Sequence, residues 1–144
     1  MINWQYYPKS DVIPDHLAKV VDIFKKHSNA IDSSNHNLNS NGVLFVLRDE
    51  LLASGFKVER GTKLEDRIEM PVLFGKNGQL EKSFGVDAFL DKQNASTVIE
   101  VEAGRAVTNY QFLKDFFEAC MMHNVMHLVI AVRNIYRKKL ILKR

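Results

Sequence analysis

The sequence predicts an α/β protein of the mixed α+β kind, in which a mixed central sheet is flanked by helices. Two segments within the first 55 residues carry apolar side chains at helical spacing. Several strand-like segments with tight turns follow, which favours antiparallel pairing. A later helix then leads into another apolar strand, and such a strand–helix–strand connection makes the final pair of strands parallel.

The first half of the chain contains the two predicted N-terminal helices. Residues 14–30 form the first, with Pro14 in its first turn, and a linker rich in Ser and Asn follows over residues 31–41. Residues 39–54 form the second helix, which ends before Gly55. The first of these helices precedes the rest of the predicted fold as an additional element.

The strands are predicted from alternation and from turn residues. Residues 56–60 alternate apolar and charged side chains, and Ile68–Phe74 is a second extended segment in which Pro71 favours an edge position. The turn at residues 75–78 contains Asn-Gly, which favours a hairpin. Further strands are predicted over residues 83–90 and 96–102, joined by a turn.

The last third of the chain is predicted to form a helix and one or two strands. A helix over residues 107–122 would bury Phe112, Phe116, Ala119 and Cys120 on its apolar face. The continuous apolar run His127–Val132 is typical of a strand buried on both sides. Residues 140–142 are a candidate for a last short strand.

Three carboxylates interrupt the most strand-like part of the sequence. Side chains alternate along a strand, so Glu100 and Glu102 project from one face, while Ile99 and Val101 project from the other. A neighbouring strand carrying Asp87 would bring a third carboxylate close to Glu100. Hard oxygen ligands without nearby His or Cys suit Mg²⁺ or Mn²⁺ better than zinc. A solvated strand face is the alternative interpretation.

The order of elements and acids resembles the PD-(D/E)xK nuclease superfamily, whose restriction endonuclease-like core is α-β-β-β-α-β. The resemblance covers about residues 38–135, with Asp87 and Glu100 at the acidic motif positions. Glu102 stands where the motif usually has Lys, and this ExE variant is similar to BamHI/BglII-type restriction endonucleases. The resemblance implies a Mg²⁺-dependent DNA endonuclease, in which Mn²⁺ can substitute.

The resemblance also implies roles for particular residues. Asp87 and Glu100 would bind the metal together with the backbone carbonyl of Val101, and Glu102 would bind a second metal or orient the attacking water. Glu50 resembles the first-helix acid that many members direct at the metal, although Asp49 is an alternative. The missing motif lysine leaves a second hypothesis open, in which the chain is a catalytically inactive nucleic-acid-binding or assembly subunit.

Several other side chains are candidates for contacts with nucleic acid. Arg105 follows the ExE strand, Gln111 resembles a helix glutamine of some nuclease families, and Lys114 is a candidate for a displaced motif lysine. Residues 133–144 hold six of the 20 basic residues and no acid, which leaves 14 basic residues against 17 acids elsewhere. We expect Arg137, Lys138 and Lys139 of this tail to contact DNA phosphates, with a solvated strand end as the alternative.

Length and composition fit one domain over residues 1–144, with a net charge of +3. The single cysteine and the absence of a signal-like start or a long apolar run predict a cytoplasmic protein without a membrane segment. Cutting both strands of a duplex needs two active sites, so we expect a homodimer. A larger defence or repair assembly is a further possible partner.

Overall fold

The computed structural model describes residues 1–61, 63–104 and 110–136. The helices in these residues are α1 (Asp15–Lys26), α2 (Ser28–Ile31), α3 (Ser40–Ala53) and α4 (Gln111–Met121). The strands are β1 (Lys57–Val58), β2 (Ile68–Phe74), β3 (Leu80–Val86), β4 (Ala88–Leu90), β5 (Thr97–Glu102) and β6 (His127–Val132). The bounds of β2 and β6 agree with those predicted, whereas β1 is shorter than the segment predicted over residues 56–60.

The strands of the described residues form two sheets. The larger sheet has four strands in the order β1–β4–β5–β6, and β2 pairs with β3 as a separate hairpin. β4 runs antiparallel to both β1 and β5, whereas β5 and β6 are parallel. The prediction of a mixed sheet flanked by helices, with a parallel final pair, is therefore confirmed.

The strand predicted over residues 83–90 is interrupted at Asp87. β3 ends at Val86, which pairs with Ile68 in the hairpin, and β4 begins at Ala88, which lies opposite Ile99 in the larger sheet. The chain thus passes from one sheet to the other at Asp87. The sequence does not reveal this break, because Val86 and Ala88 are both buried and keep the alternation of a continuous strand.

The two predicted N-terminal helices are present. α1 begins directly after Pro14, and a separate short helix, α2, follows it after His27. α3 begins one residue later than predicted, because the Asn39 side chain caps the helix by accepting a hydrogen bond from the Gly42 N–H at 2.8 Å. Gly55 follows the end of α3 with φ +91°, a conformation that glycine adopts without a steric penalty.

α1 and α3 cover one face of the larger sheet, and α4 lies over the other. The first face contributes a row of small and aliphatic side chains to the main core: Val58, Ala88, Leu90, Ile99, Val101 and Ala103. On the second face, Val98 packs with Met122 and with the hairpin residues Met70 and Val86. Because side chains alternate along β5, the face that carries Val98 also carries Glu100 and Glu102.

Leu47 is the central side chain of α3 in the main core, with no exposed surface. We expect Leu47→Ala to lower the free energy of unfolding by about 2–5 kcal/mol, because it removes packed methyl groups and leaves a cavity. Leu52→Ala, on the same helix but 39% exposed, is the matched control and should cost about 1 kcal/mol or less. Urea denaturation measures both values, and equal losses would contradict this assignment of the core.

α4 turns its polar side toward the sheet and its apolar side toward solvent. Its buried residues are Asp115, Glu118 and Ala119. Its leucine and its three phenylalanines are at least 40% exposed: Phe112, Leu113, Phe116 and Phe117. Cys120 is also exposed, so the predicted apolar face is correct only for Ala119. The helix is oriented this way because the sheet surface beneath it carries the β5 carboxyl groups.

β6 also differs from its prediction. Its residues are only partly buried and Val132 is exposed, because β6 lies at an edge of the four-stranded sheet among the described residues. The continuous apolar run therefore does not mark a strand covered on both faces. The predicted strand at residues 140–142 and the predicted helix start at residue 107 lie outside the described residues.

Candidate functional site

β5 and Asp87 position the three predicted carboxylates. Glu100 and Glu102 project toward α4 from the face of β5 opposite Ile99 and Val101, as predicted. Asp87 lies beside β5 where the chain crosses between sheets, and its Oδ2 accepts a hydrogen bond from the Val101 N–H at 2.7 Å. The structure thus brings Asp87, Glu100 and Glu102 together at one end of the larger sheet.

The backbone around Asp87 is fixed on both sides. The Glu59 N–H donates to the Asp87 carbonyl at 2.8 Å, which extends the pairing of β1 with β4 by one residue. On β5, the N–H and the C=O of any one residue point toward the same side of the strand. The Val101 carbonyl therefore faces the edge of β5 beside Asp87 and not β6. A backbone ligand for a metal held by Asp87 would have to lie on this edge.

Three further acids join this group, and sequence analysis missed all of them. Glu59 follows β1 and shares a hydrogen bond with the Asp87 side chain. Asp115 and Glu118 lie on the buried side of α4, and their charges act on Glu100. The available signal was the spacing of Gln111, Asp115 and Glu118, which places three polar side chains on one helix face. We call these six acids the acidic cluster: Glu59, Asp87, Glu100, Glu102, Asp115 and Glu118.

Glu100 has the most perturbed carboxyl group of the cluster. The pKa of Glu100 is raised to about 9, chiefly by burial and then, in decreasing order, by the charges of Asp87, Asp115, Glu118 and Glu102. Without a neighbouring cation, this side chain is protonated at neutral pH. Such a shift for a carboxyl group in a group of acids is typical of functional sites.

The pKa values of the neighbouring acids are shifted in the same direction. Burial raises the pKa of Glu102 to about 7, with Asp115 contributing both its charge and a hydrogen bond. Burial also raises the pKa of Asp87, although the hydrogen bond from Val101 opposes the shift. Burial and the Asp87 charge raise the pKa of Glu59, which makes it a hydrogen-bond donor to Asp87.

Lys114 and Gln111 lie at the border of the cluster on α4. The Lys114 ammonium pairs with Glu118 at 3.3 Å, and its charge opposes the rise in the pKa of Glu102. The Gln111 amide donates to Asp115 Oδ1 at 3.0 Å. Both residues that the sequence nominated on this helix are therefore close to the acids, although neither directly contacts Asp87.

Glu50 belongs to a different set of contacts. Its Oε1 lies 2.6 Å from Lys26 Nζ and 2.9 Å from His27 Nε2, and these partners lower the pKa of Glu50. It therefore ties α3 to the end of α1, on the face of the sheet opposite Glu100. Glu50 thus contacts Lys26 and His27 in the described residues, and its expected part in the metal site stays a prediction. Asp49, the alternative, is exposed on the same helix.

Four nominated basic residues lie outside the described residues: Arg105, Arg137, Lys138 and Lys139. Their expected contacts with phosphate remain predictions. In the described part of α4 and its neighbours, Lys114 is the cation that acts on the acidic cluster most directly.

The acidic cluster has the donor chemistry of a magnesium or manganese site but not a completed ligand set. In residues 1–61, 63–104 and 110–136, no three His, Cys, Asp or Glu side chains are already arranged to hold a metal ion. Asp87 instead binds the Val101 N–H, and Asp115 Oδ1 binds Gln111. However, the buried Asp115 Oδ2 has no hydrogen-bond donor among the described residues. An oxygen-rich group with such an unpartnered atom fits a hard divalent cation.

Two further findings concern membrane-spanning helices and similarity to known proteins. No helix in the described residues has both the length and the apolar character needed to cross a membrane. Comparison with known proteins gave no matching family model, no similar curated protein and no similar solved structure.

Proposed function

We propose that the protein is a Mg²⁺-dependent endodeoxyribonuclease of the restriction endonuclease-like kind, which hydrolyses phosphodiester bonds. One observation carries this proposal: Asp87, Glu100 and Glu102 share one end of a sheet, where the charge of Asp87 contributes to the raised pKa values of both glutamates. Carboxylates that repel each other in the free protein bind a divalent cation favourably, because the cation removes the repulsion. Mn²⁺ has the same ligand preference and should substitute.

The proposed site assigns a role to each central residue. Asp87, Glu100 and the Val101 carbonyl would hold the cation, for which Asp87 must rotate away from the Val101 N–H. A divalent cation in this position supplies positive charge for the scissile phosphate and lowers the pKa of a bound water. Glu102 would orient the attacking water and accept its proton.

The order of elements also supports the proposal. α3, strands β1 to β5, α4 and β6 follow one another, an order that contains the α-β-β-β-α-β order of the expected core together with two additional strands. The acids lie at the junction of strands β3 and β4 and on β5, which are the motif positions of the PD-(D/E)xK nucleases. The departure is Glu102, which stands in place of the motif lysine. Lys114 would supply the missing positive charge at the edge of the site, where it already acts on Glu102.

The proposal extends to partners. DNA is the expected substrate, with the basic tail supplying phosphate contacts, and a homodimer is expected if both strands of a duplex are cut. The tail and the dimer stay predictions, as do a cytoplasmic location and membership of a larger defence or repair assembly.

Mn²⁺-dependent nicking of supercoiled plasmid DNA tests the proposed activity. We expect conversion to open-circular DNA with Mn²⁺ or Mg²⁺ and none with EDTA, together with a higher melting temperature in the presence of Mn²⁺. Asp91→Asn, which changes an exposed acid after the opposite end of β4, should behave as the unmodified protein does. Absence of both nicking and metal-induced stabilisation would overturn the proposal.

A second candidate function is a nuclease-like module that binds nucleic acid or assembles with a protein without catalysis. Glu102 in place of lysine is the observation that favours it, because a carboxylate cannot donate a hydrogen bond to phosphate. DNA binding that weakens with salt but needs no metal and produces no nicks would support this alternative. Self-association without DNA binding would instead indicate an assembly role.

A further inference from the structure

The outer side of α4 is an apolar surface that the other described residues leave uncovered. Phe112, Leu113, Phe116 and Phe117 are 40–62% exposed, and the exposed Cys120 lies on the same side, one turn after Phe116. We call these five residues the α4 outer face. Single apolar side chains are common on protein surfaces, whereas a contiguous group of large ones marks an interaction site.

The exposed area of the α4 outer face is close to what one partner brings to a stable dimer. A phenylalanine side chain has on the order of 200 Å² of surface and a leucine somewhat less, so the exposed fractions correspond to about 400 Å² of apolar surface. A standard protein–protein interface takes about 800 Å² from each partner, of which about 60% is apolar. The face therefore supplies most of the apolar area that one partner contributes.

The arrangement of side chains on this face allows it to pack against a copy of itself. Phe112, Phe116 and Cys120 follow one another at intervals of four residues, and Leu113 and Phe117 form a second row with the same interval. Such rows are ridges that fit into the groove of a facing helix, at an angle of about −50° when both helices use them. A second copy of the chain presents the same ridges and the same groove.

The distribution of charge on α4 favours a second copy over a different protein. Asp115 and Glu118 are buried on the opposite side of the helix, and Lys114 pairs with Glu118 at 3.3 Å. The five residues of the outer face include no charged side chain. In a two-fold dimer the same surface of each chain meets the other, so a charge there would face its own copy. An uncharged face avoids this repulsion and offers a different partner no charge to recognise.

We propose that two copies of the protein associate through the α4 outer face, with their α4 helices packed against each other across a two-fold axis. The sequence predicted a homodimer without indicating its surface, and it assigned Phe112, Phe116 and Cys120 to the interior of one chain. The contact does not depend on the proposed activity, because α4 turns its acids toward the sheet and its phenylalanines toward the second copy. Each α4 then lies between its own acidic cluster and the other chain.

Sedimentation velocity of the full chain at a series of concentrations tests the proposal. We expect a monomer–dimer equilibrium in which Phe117→Glu weakens association at least about 100-fold, because it places like charges in an apolar contact. Phe45→Glu is the matched control, since it makes the same change at a 70% exposed position on α3 and should dimerise as the unmodified protein does. Circular dichroism shows whether both variants are folded.

Alkylation of Cys120, the single cysteine of the chain, reports on the face without any variant. We expect the alkylation rate of the unmodified protein to fall as its concentration rises through the dimerisation range, and that of Phe117→Glu to stay high throughout. A protein that is monomeric at every concentration would overturn the proposal. Slow alkylation of such a monomer would show that its own chain covers the face, and fast alkylation would show that the face is open.

The remaining outcomes place the contact elsewhere or separate it from the nuclease proposal. A dimer that folded Phe117→Glu leaves intact, or one in which Cys120 stays equally reactive, uses another surface and contradicts the inference. Plasmid nicking measured on the same samples distinguishes the two proposals. A dimer that fails to nick DNA would contradict only the nuclease, and a monomer that nicks DNA would contradict only the dimer.

Discussion

Asp87→Asn should abolish metal-dependent nicking and the increase in melting temperature that Mn²⁺ produces. The substitution keeps the shape of the side chain and an oxygen that can accept the Val101 N–H, so the junction between the two sheets is preserved. It removes the negative charge that binds the cation. Loss of one preorganised electrostatic group typically lowers a rate by about 100- to 1,000-fold, and we expect at least that loss here because Asp87 would hold the cation.

The controls for Asp87→Asn separate chemistry from folding. Without metal, the variant should be as stable as the unmodified protein or more so, because one of the mutually repelling carboxyl groups is gone. Asp91→Asn should retain both nicking and the Mn²⁺ effect. A variant of Asp87 that still nicks DNA, or is still stabilised by Mn²⁺ as strongly as before, would remove Asp87 from the site.

The second large effect is a loss of stability of the metal-free protein as pH rises. The pKa of Glu100 is raised to about 9 and that of Glu102 to about 7, from 4.5 for an unperturbed glutamate. Above pH 4.5 the unfolded chain releases these protons while the folded chain keeps them, so the folded state binds more protons and its stability falls with pH. We expect a decrease of roughly 2–4 kcal/mol between pH 5 and pH 9, below the full value of the shifts because the site is partly open to solvent.

Urea denaturation at several pH values, with EDTA present, measures this dependence. Glu100→Gln should flatten the profile, and the remaining decrease should lie between about pH 4.5 and pH 7 and level off above the pKa of Glu102. Glu65→Gln, at an exposed position in a short turn, should leave the profile unchanged. Saturating Mn²⁺ should reverse the slope, because the cation binds the deprotonated carboxylates. Stability that is constant or rises over this range in EDTA would contradict the assigned pKa shifts.

The parts of the fold that the sequence predicted are those with a strong local signal. α3 has a regular apolar stripe, a capping Asn39 and a terminal Gly55, and its observed bounds differ by one residue at each end. The turn at Lys76–Gly78 and the strands β2 and β6 carry equally local information. The break between β3 and β4 at Asp87 has no local signal of this kind. Only the pairing of β3 and β4 with different partner strands distinguishes these residues from one continuous strand.

The candidate site was predictable in its β5 half and not in its α4 half. Glu100 and Glu102 follow from alternation alone, since their neighbours Ile99 and Val101 had to enter the core. Asp115 was missed because a helix with four large apolar residues on one side is expected to bury that side. The opposite orientation depends on what the sheet beneath the helix presents, and that is a tertiary property. The ion pair of Glu50 with Lys26 was not predicted, because it forms between two helices that are not adjacent in the sequence.

Because α4 turns its polar side toward the sheet, the stability of its packing would depend on whether a cation is bound in the acidic cluster. Ala119 is the one buried apolar residue of α4, so hydrophobic burial holds this helix to the sheet far less than it holds α3. The proposed cation would offset this deficit, because it would neutralise the repulsion between Glu100 on the sheet and Asp115 and Glu118 on α4. Local opening of α4 would then occur together with release of the proposed cation. The proposed catalytic centre would form only while α4 is packed against the sheet.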